Sequence, residues 1–411
     1  AKALTGQAAF ELDRQQSEAL LQESLALLAD PRLDEGEGKA ERAFTYYHLG
    51  QRLRDSQMGR AIDYLEKGLA LYRELDDLRG AANCLLLLGL STFYVNLSVS
   101  RQYIVQANVI FEEIGDTRLL IQTLTWLAGV ASLTGDQETM AQAVAKYYAL
   151  GAATEQQASI RDRVFIYILV AEEKGQYAQS VYHRKEHIRD LNELGRAALM
   201  DHVYLAYIDL HAGQVDQGRA ILWEMLGEIE RTAVEHDHRL AFTKHVLASL
   251  ALVDEEFAMA KDLLQQAIPI YEKNRNLPDV AGAKALMGIA FIGKGDLDAA
   301  KSYLYTGLKM ALDLHGFLPL AEALMGIALL LAKQGRTRQA RQVYELIWRY
   351  PRYSQSVLYN GIAGEKIRAQ TAELTPDELK TIQQRAAKQD IWEEAAALLE
   401  ELANDQQSAE N

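Results

Sequence analysis

The chain has 411 residues, 49% of them hydrophobic and 24% charged, which is the balance of a folded protein and excludes a disordered one. Its net charge of -14, with 57 acidic against 43 basic residues, opposes binding to a phosphate backbone, and no dense Lys/Arg block offsets it. Six prolines and long runs of Leu, Ala, Gln and Glu favour helix, and the period-2 runs of β-branched residues that mark strands are missing, so the predicted class is all-α.

In chain order, the sequence predicts helical hairpins. The first turns near Arg14 to Gln16, and later turns fall near Asp55-Ser56, Val95-Asn96, Gly135, Gly175, Gly213, Asp254-Glu255, Gly295 and Gly335. Their spacing of about 40 residues is that of two-helix solenoid repeats, and nine such hairpins fill residues 1–350. The repeat is clearest in Leu286-Met287-Gly288-Ile289-Ala290 and Leu324-Met325-Gly326-Ile327-Ala328. Each leads into a glycine turn and then to a small residue, Ala300 or Ala340, where two helices are expected to cross closely.

A second punctuation separates the hairpins. Glu74-Leu75-Asp76-Asp77, Glu113-Ile114-Gly115-Asp116, Glu193-Leu194-Gly195 and Leu314-His315-Gly316 each close one helix and open the next. Glycine is expected to supply the left-handed C-cap there, and Asp the following N-cap.

Past residue 350 the pattern changes. Arg349-Tyr350-Pro351-Arg352-Tyr353 interrupts the last hairpin, one helix is expected to run to about Glu373, and Thr375-Pro376-Asp377-Glu378 opens another. An acidic helix near Ile391 to Leu402 precedes a polar tail. The expected division is a repeat array over 1–350 and C-terminal capping helices with an acidic tail over 351–411.

The Leu-Gly, aromatic, Gly-turn and Ala pattern resembles the tetratricopeptide repeat. The longer unit, with phrases such as Tyr64-Leu65-Glu66-Lys67-Gly68-Leu69-Ala70-Leu71-Tyr72, is similar to the sensor regions of MalT-like regulators and other bacterial STAND ATPases. That resemblance covers about 350 residues and implies a right-handed α-solenoid superhelix. It also implies a non-enzymatic interaction or sensor region that takes a protein, peptide or small inducer in its groove and contacts an upstream domain. Its groove positions carry over to Tyr46, Gln122, Thr125, Asp162, Phe165, Tyr207 and His211. A passive scaffold and a peptide-pheromone receptor are the alternatives. The chain begins at Ala1 inside helical sequence, without Met, and is expected to be part of a larger protein.

The chemical motifs are weak. Gly288 to Gly295 is one residue short of a P-loop and lacks the preceding strand. His183 and His187 share a helix face without a clear third ligand, so no metal site is expected. Glu235-His236-Asp237-His238, with His245 beyond, is the densest titratable cluster, in an expected loop. Glu172-Glu173 and Asp254-Glu255-Glu256 flank repeat turns and carry no catalytic role without a pocket. Twenty Tyr against nine Phe suit half-buried repeat surfaces and grooves alike. No cofactor, catalytic residue, nucleic-acid contact or membrane span is expected. The single Cys84, in an apolar run, fits a reducing, cytoplasmic setting.

Overall fold

A computed structural model describes residues 14–30, 36–54, 57–93, 95–151, 160–193, 195, 198–232 and 237–410, without the side chains of 14–15, 160–162 and 405–410. The first helix of the first expected hairpin, over residues 1–13, and the turn at Asp55-Ser56 lie outside them, and the helix Arg14–Leu27 is that hairpin's second. The chain divides into two compact units, Ala1–Ala131 with Asp136–Ser159, and Ser132–Gly135 with Ile160–Asn411.

The first unit contains α1 (Arg14–Leu27), α2 (Glu37–Leu53), α3 (Met58–Glu74), α4 (Leu78–Thr92), α5 (Leu97–Glu113), α6 (Thr117–Leu133) and α7 (Gln137–Gly151). The second contains α8 (Ile160–Glu173), α9 (Tyr177–Glu193), α10 (Leu199–His211), α11 (Val215–Thr232), α12 (His238–Val253), α13 (Phe257–Lys273), α14 (Leu277–Gly293), α15 (Leu297–Leu314), α16 (Phe317–Lys333) and α17 (Thr337–Trp348). After α17 come two short turns, α18 (Pro351–Ser354) and α19 (Val357–Tyr359), then a π-helical turn, Asn360–Gly364. The chain continues through α20 (Glu365–Gln370), α21 (Pro376–Ala386) and α22 (Ile391–Glu410). The described residues contain no strand, and none of their helices is long and apolar enough to cross a membrane.

Within each unit the even-numbered helices from α2 to α16 are the first (A) helices of hairpins, and α2, α4, α8, α10, α12, α14 and α16 each pack on the B helix that follows. Close crossing depends on small residues. A Cβ on Gly288 would meet Leu304 Cγ at 2.6 Å and the Ala300 carbonyl oxygen at 3.2 Å, so α14 and α15 approach only because that atom is missing. The helix continuing through Gly288 to Gly293 confirms that the P-loop-like run is a repeat helix and its turn. Successive A helices also touch, as α14 does α16, and the core of the second unit runs unbroken from Val203 through Leu324 to Leu402. No hairpin buries its apolar face alone, so stability passes from neighbour to neighbour.

The turn chemistry follows the sequence with one correction. Gly115, Gly135, Gly175, Gly195, Gly213, Gly295 and Gly335 all have positive φ. The next residue's amide closes the helix end, as in Asp296 N to Phe291 O, 3.1 Å. Asp77, Asp116 and Asp296 accept amide hydrogen bonds as N-caps. In Leu314-His315-Gly316, however, the left-handed residue is His315 (φ 52°) and not the glycine. Stacking of its ring on Trp392, at 3.9 Å between centroids, accompanies that conformation. Asp76, Glu255 and Arg275 take the same region.

The single helix expected from residue 351 to Glu373 is broken. Ser356 N-caps α19 by accepting the Tyr359 amide at 3.0 Å, and the π turn follows. Beyond it, Thr375 and Glu378 form a reciprocal capping box around Pro376 at the start of α21. Helix α21 packs on α17, and α22 on α15.

Candidate functional site

In the first unit, Tyr46 stacks on Tyr64 (5.9 Å, 26°), which turns it toward the partner helix of its own hairpin. Gln122 is half-buried, and Thr125 is buried with its hydroxyl donating to the Ile121 carbonyl at 3.0 Å. A cleft of about 360 Å³ is lined by Phe44, Tyr47, His48, Gln51 and Tyr72. Burial lowers the His48 pKa to about 4, so its imidazole is neutral. Cys84 is buried and its thiol is pushed up to about 12 by that burial, which leaves it unreactive.

In the second unit, Phe165 is partly exposed on α8, while the side chain of Asp162 lies outside the described residues. Tyr207 and His211, one turn apart on α10, both meet the segment that follows α17. The Tyr207 and Tyr359 hydroxyls are 3.1 Å apart, and His211 Nδ1 is 2.7 Å from Ser356 Oγ. Because Ser356 Oγ already accepts the Tyr359 amide, its own proton is available for His211 Nδ1. Burial, with the Arg352 charge adding to it, lowers the His211 pKa to about 3, so the ring is a neutral acceptor.

The same segment, residues 350–366, runs along the ends of the A helices. Arg352 reaches Glu172 at 3.2 Å and Glu173 at 3.3 Å, and the Tyr177 hydroxyl donates to the Arg352 carbonyl. Burial works against the Arg352 charge, and the Glu173 and Glu172 carboxylates outweigh it, raising its pKa. Burial also raises the Glu172 pKa, with Arg352 opposing it. Gly175 passes under Gln355 and the Pro351 carbonyl, Gly213 under Val357, and Lys366 Nζ donates to the Leu252 carbonyl at 3.3 Å. Hence Glu172-Glu173, at a repeat turn, receive the cation of a distant segment.

Further along the A-helix side, α12, α14 and α16 bring together His245, Asp279 and Glu322, each half-buried. The Tyr359 hydroxyl lies 3.4 Å from Glu322 Oε1. Burial, then the Asp279 charge, raises the Glu322 pKa to about 8, and burial raises that of Asp279 to about 6. Sequence reading missed both acids. The available signal was Glu322 as the lone acid in the apolar run Phe317–Lys333.

The other histidine candidates have ordinary tasks. His183 stacks on Tyr167 (4.8 Å), and His187 Nε2 lies 3.7 Å from Asp201. Asp237 caps α12 and pairs with Arg239, while Glu235 and His236 lie outside the described residues. Among the described residues no three His, Cys, Asp or Glu side chains are grouped to hold a metal ion.

Helical hairpins stacked through A-helix contacts, small residues at each crossing and left-handed turn residues define a tetratricopeptide-like repeat protein. No family model matches the chain, and no curated protein matches its sequence. Among solved structures it is similar to a Rap protein complexed with competence and sporulation factor, at 13% identity and a TM-score of 0.45 over 91% of this chain and 94% of that one. A STAND protein with a tetratricopeptide repeat sensor from Pyrococcus horikoshii gives 12% identity and a TM-score of 0.44, covering 92% of this chain and 56% of that one. Yeast Tom70 gives 13% and 0.42, covering 99% and 96%.

Proposed function

We propose that the chain is the non-catalytic recognition region of a signalling protein of the STAND-ATPase or transcriptional-regulator kind. It takes a protein, peptide or small inducer on the A-helix side of its repeats and contacts an upstream domain. The supporting observation is the polypeptide already held there: residues 350–366 are bound through Tyr177, His211 and Tyr207 by carbonyl, hydroxyl and ring contacts. Those are the interactions by which a repeat surface receives a peptide. Tyr46, Gln122 and Thr125 in the first unit, and Phe165, Tyr207 and His211 in the second, are the proposed contact positions. Residues 351–411 are the capping helices and acidic tail of the array within this reading.

The test is a selection from a displayed random-peptide library, paired with affinity capture from lysate. Binders enriched on the native chain and lost on Tyr207→Ala are the expected result. Binders indifferent to changes at all six positions would overturn the reading.

A passive scaffold is the second reading, favoured by the buried Arg352 ion pairs, which hold the segment in place. Exposed aromatics on B helices, Tyr182 on α9 (60%) and Trp223 on α11 (47%), would then be the partner contacts.

A further inference from the structure

Two half-buried acids of the second unit, Glu172 and Glu173, have Arg352 as their cation. Asp279 and Glu322 have no such counterpart. Among the described residues, Asp279 accepts only from Asn276 Nδ2 (2.5 Å) and Glu322 only from the Tyr359 hydroxyl, and neither joins an ion pair. Around them lie further polar atoms with no hydrogen-bond partner: Tyr271 Oη, His245 Nδ1 and Asn276 Oδ1. Tyr271 is 0% exposed and Asn276 4%, so both atoms are cut off from bulk water. Each such atom is unfavourable until a partner hydrogen-bonds it.

These groups converge on one place. Glu322 Oε2 and His245 Cε1 lie 2.3 and 3.7 Å from the point where a Gly282 Cβ would stand. Lacking a side chain, Gly282 leaves room for the carboxyl between α14 and α16. The Tyr271 ring is 6.0 Å from that of His245, and the charges bearing on its hydroxyl are Asp279 and Glu322. Tyr204 and Phe242 stand 5.0 Å apart, and Phe242 lies 6.0 Å from Tyr207, extending the aromatic wall along α10 and α12. Acceptors and aromatic faces without a basic side chain of the chain's own are what a cation requires. Three metal-ligating side chains do not group here, which favours an organic cation over a metal ion.

We propose that the A-helix face between α12, α14 and α16 binds an alkylammonium or guanidinium group, with Glu322 and Asp279 as acceptors beside Tyr271 and His245. The proposal rests on the recognition reading above and names the chemistry of one part of that surface. The cation is either a free amine or a basic side chain of a bound peptide. The site is charged by its ligand. Glu322 is faced by His245 from α12, Tyr271 from α13, Asp279 from α14, Tyr207 from α10, and Tyr353 and Tyr359 from α18 and α19. His245, with its pKa lowered to about 4 by burial, stays neutral throughout the working range. Glu322, raised to about 8, must release its proton to pair with the cation.

Calorimetric titration of the full chain with agmatine, with neutral butylurea as control, tests this at pH 6.5 and 8.5. Agmatine should bind, butylurea should not, and affinity should rise about twentyfold between the two pH values as Glu322 ionises. At pH 8.5 Glu322→Gln should weaken binding at least tenfold, removing the pH dependence, while Gly282→Ala displaces the carboxyl and gives the same weakening. If Glu322→Gln fails to fold by circular dichroism, Asp279→Asn takes its place. An Ala-Ala-Arg-Ala-Ala peptide binding over tenfold tighter than agmatine assigns the cation to a peptide side chain, and equal or weaker binding assigns it to a free amine. Neither agmatine nor the peptide binding above butylurea, or equal binding to the charge-removed variant, overturns the site. Library peptides that still depend on Tyr207 would then leave the broader recognition reading standing. Agmatine binding without any such peptides would overturn that reading alone.

Discussion

His211 Nδ1 and Ser356 Oγ meet at 2.7 Å across 145 residues of sequence, both buried, and so tie a repeat helix to the segment that ends the repeats. Ser356 also caps α19, so one hydroxyl serves the local turn and the long-range contact together. Ser356→Ala should therefore cost about 1–2 kcal/mol, the penalty of an orphaned buried acceptor. Hydrogen exchange is the measurement: residues 351–364 should exchange faster while α2 to α5 are unchanged. Uniform acceleration along the chain would contradict this local role.

The neutral state of His211 makes stability fall on the acid side. Its pKa is about 3 in the folded chain, against about 6.5 for an ordinary histidine. Below 6.5 the unfolded chain takes up a proton that the native ring refuses. The contribution is thus complete above 6.5 and drains as pH falls toward 3, by up to about 1.4 kcal/mol per unit. Glu322, raised to about 8, has the opposite sign: its contribution is complete below its ordinary range and is lost as pH rises through 8. Denaturant midpoints between pH 4 and 9 should pass through a maximum. His211→Gln should make the acid limb shallower, with His48 and His245 supplying the rest of it, and leave the alkaline limb in place.

What the sequence conveyed, and what it did not, divides by range. The turn glycines and the Gly288 crossing were legible because positive φ and close backbone approach are demands of a few neighbouring residues. Glu255, Arg275 and His315 accept the same backbone without glycine, so those turns carry weaker marks. The break after residue 350 was visible in Tyr350-Pro351, but its path was not. Ser356 interrupts the expected helix where His211, 145 residues earlier, supplies its partner. Tyr207 and His211 are groove positions that the family resemblance implies, and their contacts with Tyr359 and Ser356 depend on that path. The meeting of Asp279, Glu322 and Tyr271 likewise needs three hairpins stacked in place before it exists.

Among the described residues Arg352 is the sole cation in the ion pairs of Glu172 and Glu173, and its side chain is 8% exposed. Arg352→Met leaves two acids facing each other without it, and should destabilise the second unit by about 3–5 kcal/mol. The triple change Arg352→Met, Glu172→Gln, Glu173→Gln removes the stranded charge and should recover most of that loss. Urea unfolding of the three proteins gives the comparison. A triple variant no more stable than Arg352→Met would mean that the guanidinium acts through packing instead of charge.

Gly175 and Gly295 occupy equivalent repeat turns with φ of 66° and 81°, yet their surroundings differ. A Cβ on Gly295 meets nothing within 4 Å, whereas one on Gly175 would lie 2.6 Å from both Gln355 Cβ and the Pro351 carbonyl oxygen. Gly295→Ala should therefore cost only the left-handed backbone penalty, about 1–2 kcal/mol. Gly175→Ala carries that penalty and must also push the Pro351 backbone away, loosening the Arg352 ion pairs just beyond it. It should lower the melting temperature further than Gly295→Ala and expose the 350–356 stretch to limited proteolysis, which Gly295→Ala should not do. Equal melting shifts, with the stretch equally protected in both, would show that the segment yields to the methyl group and does not depend on a bare turn beneath it.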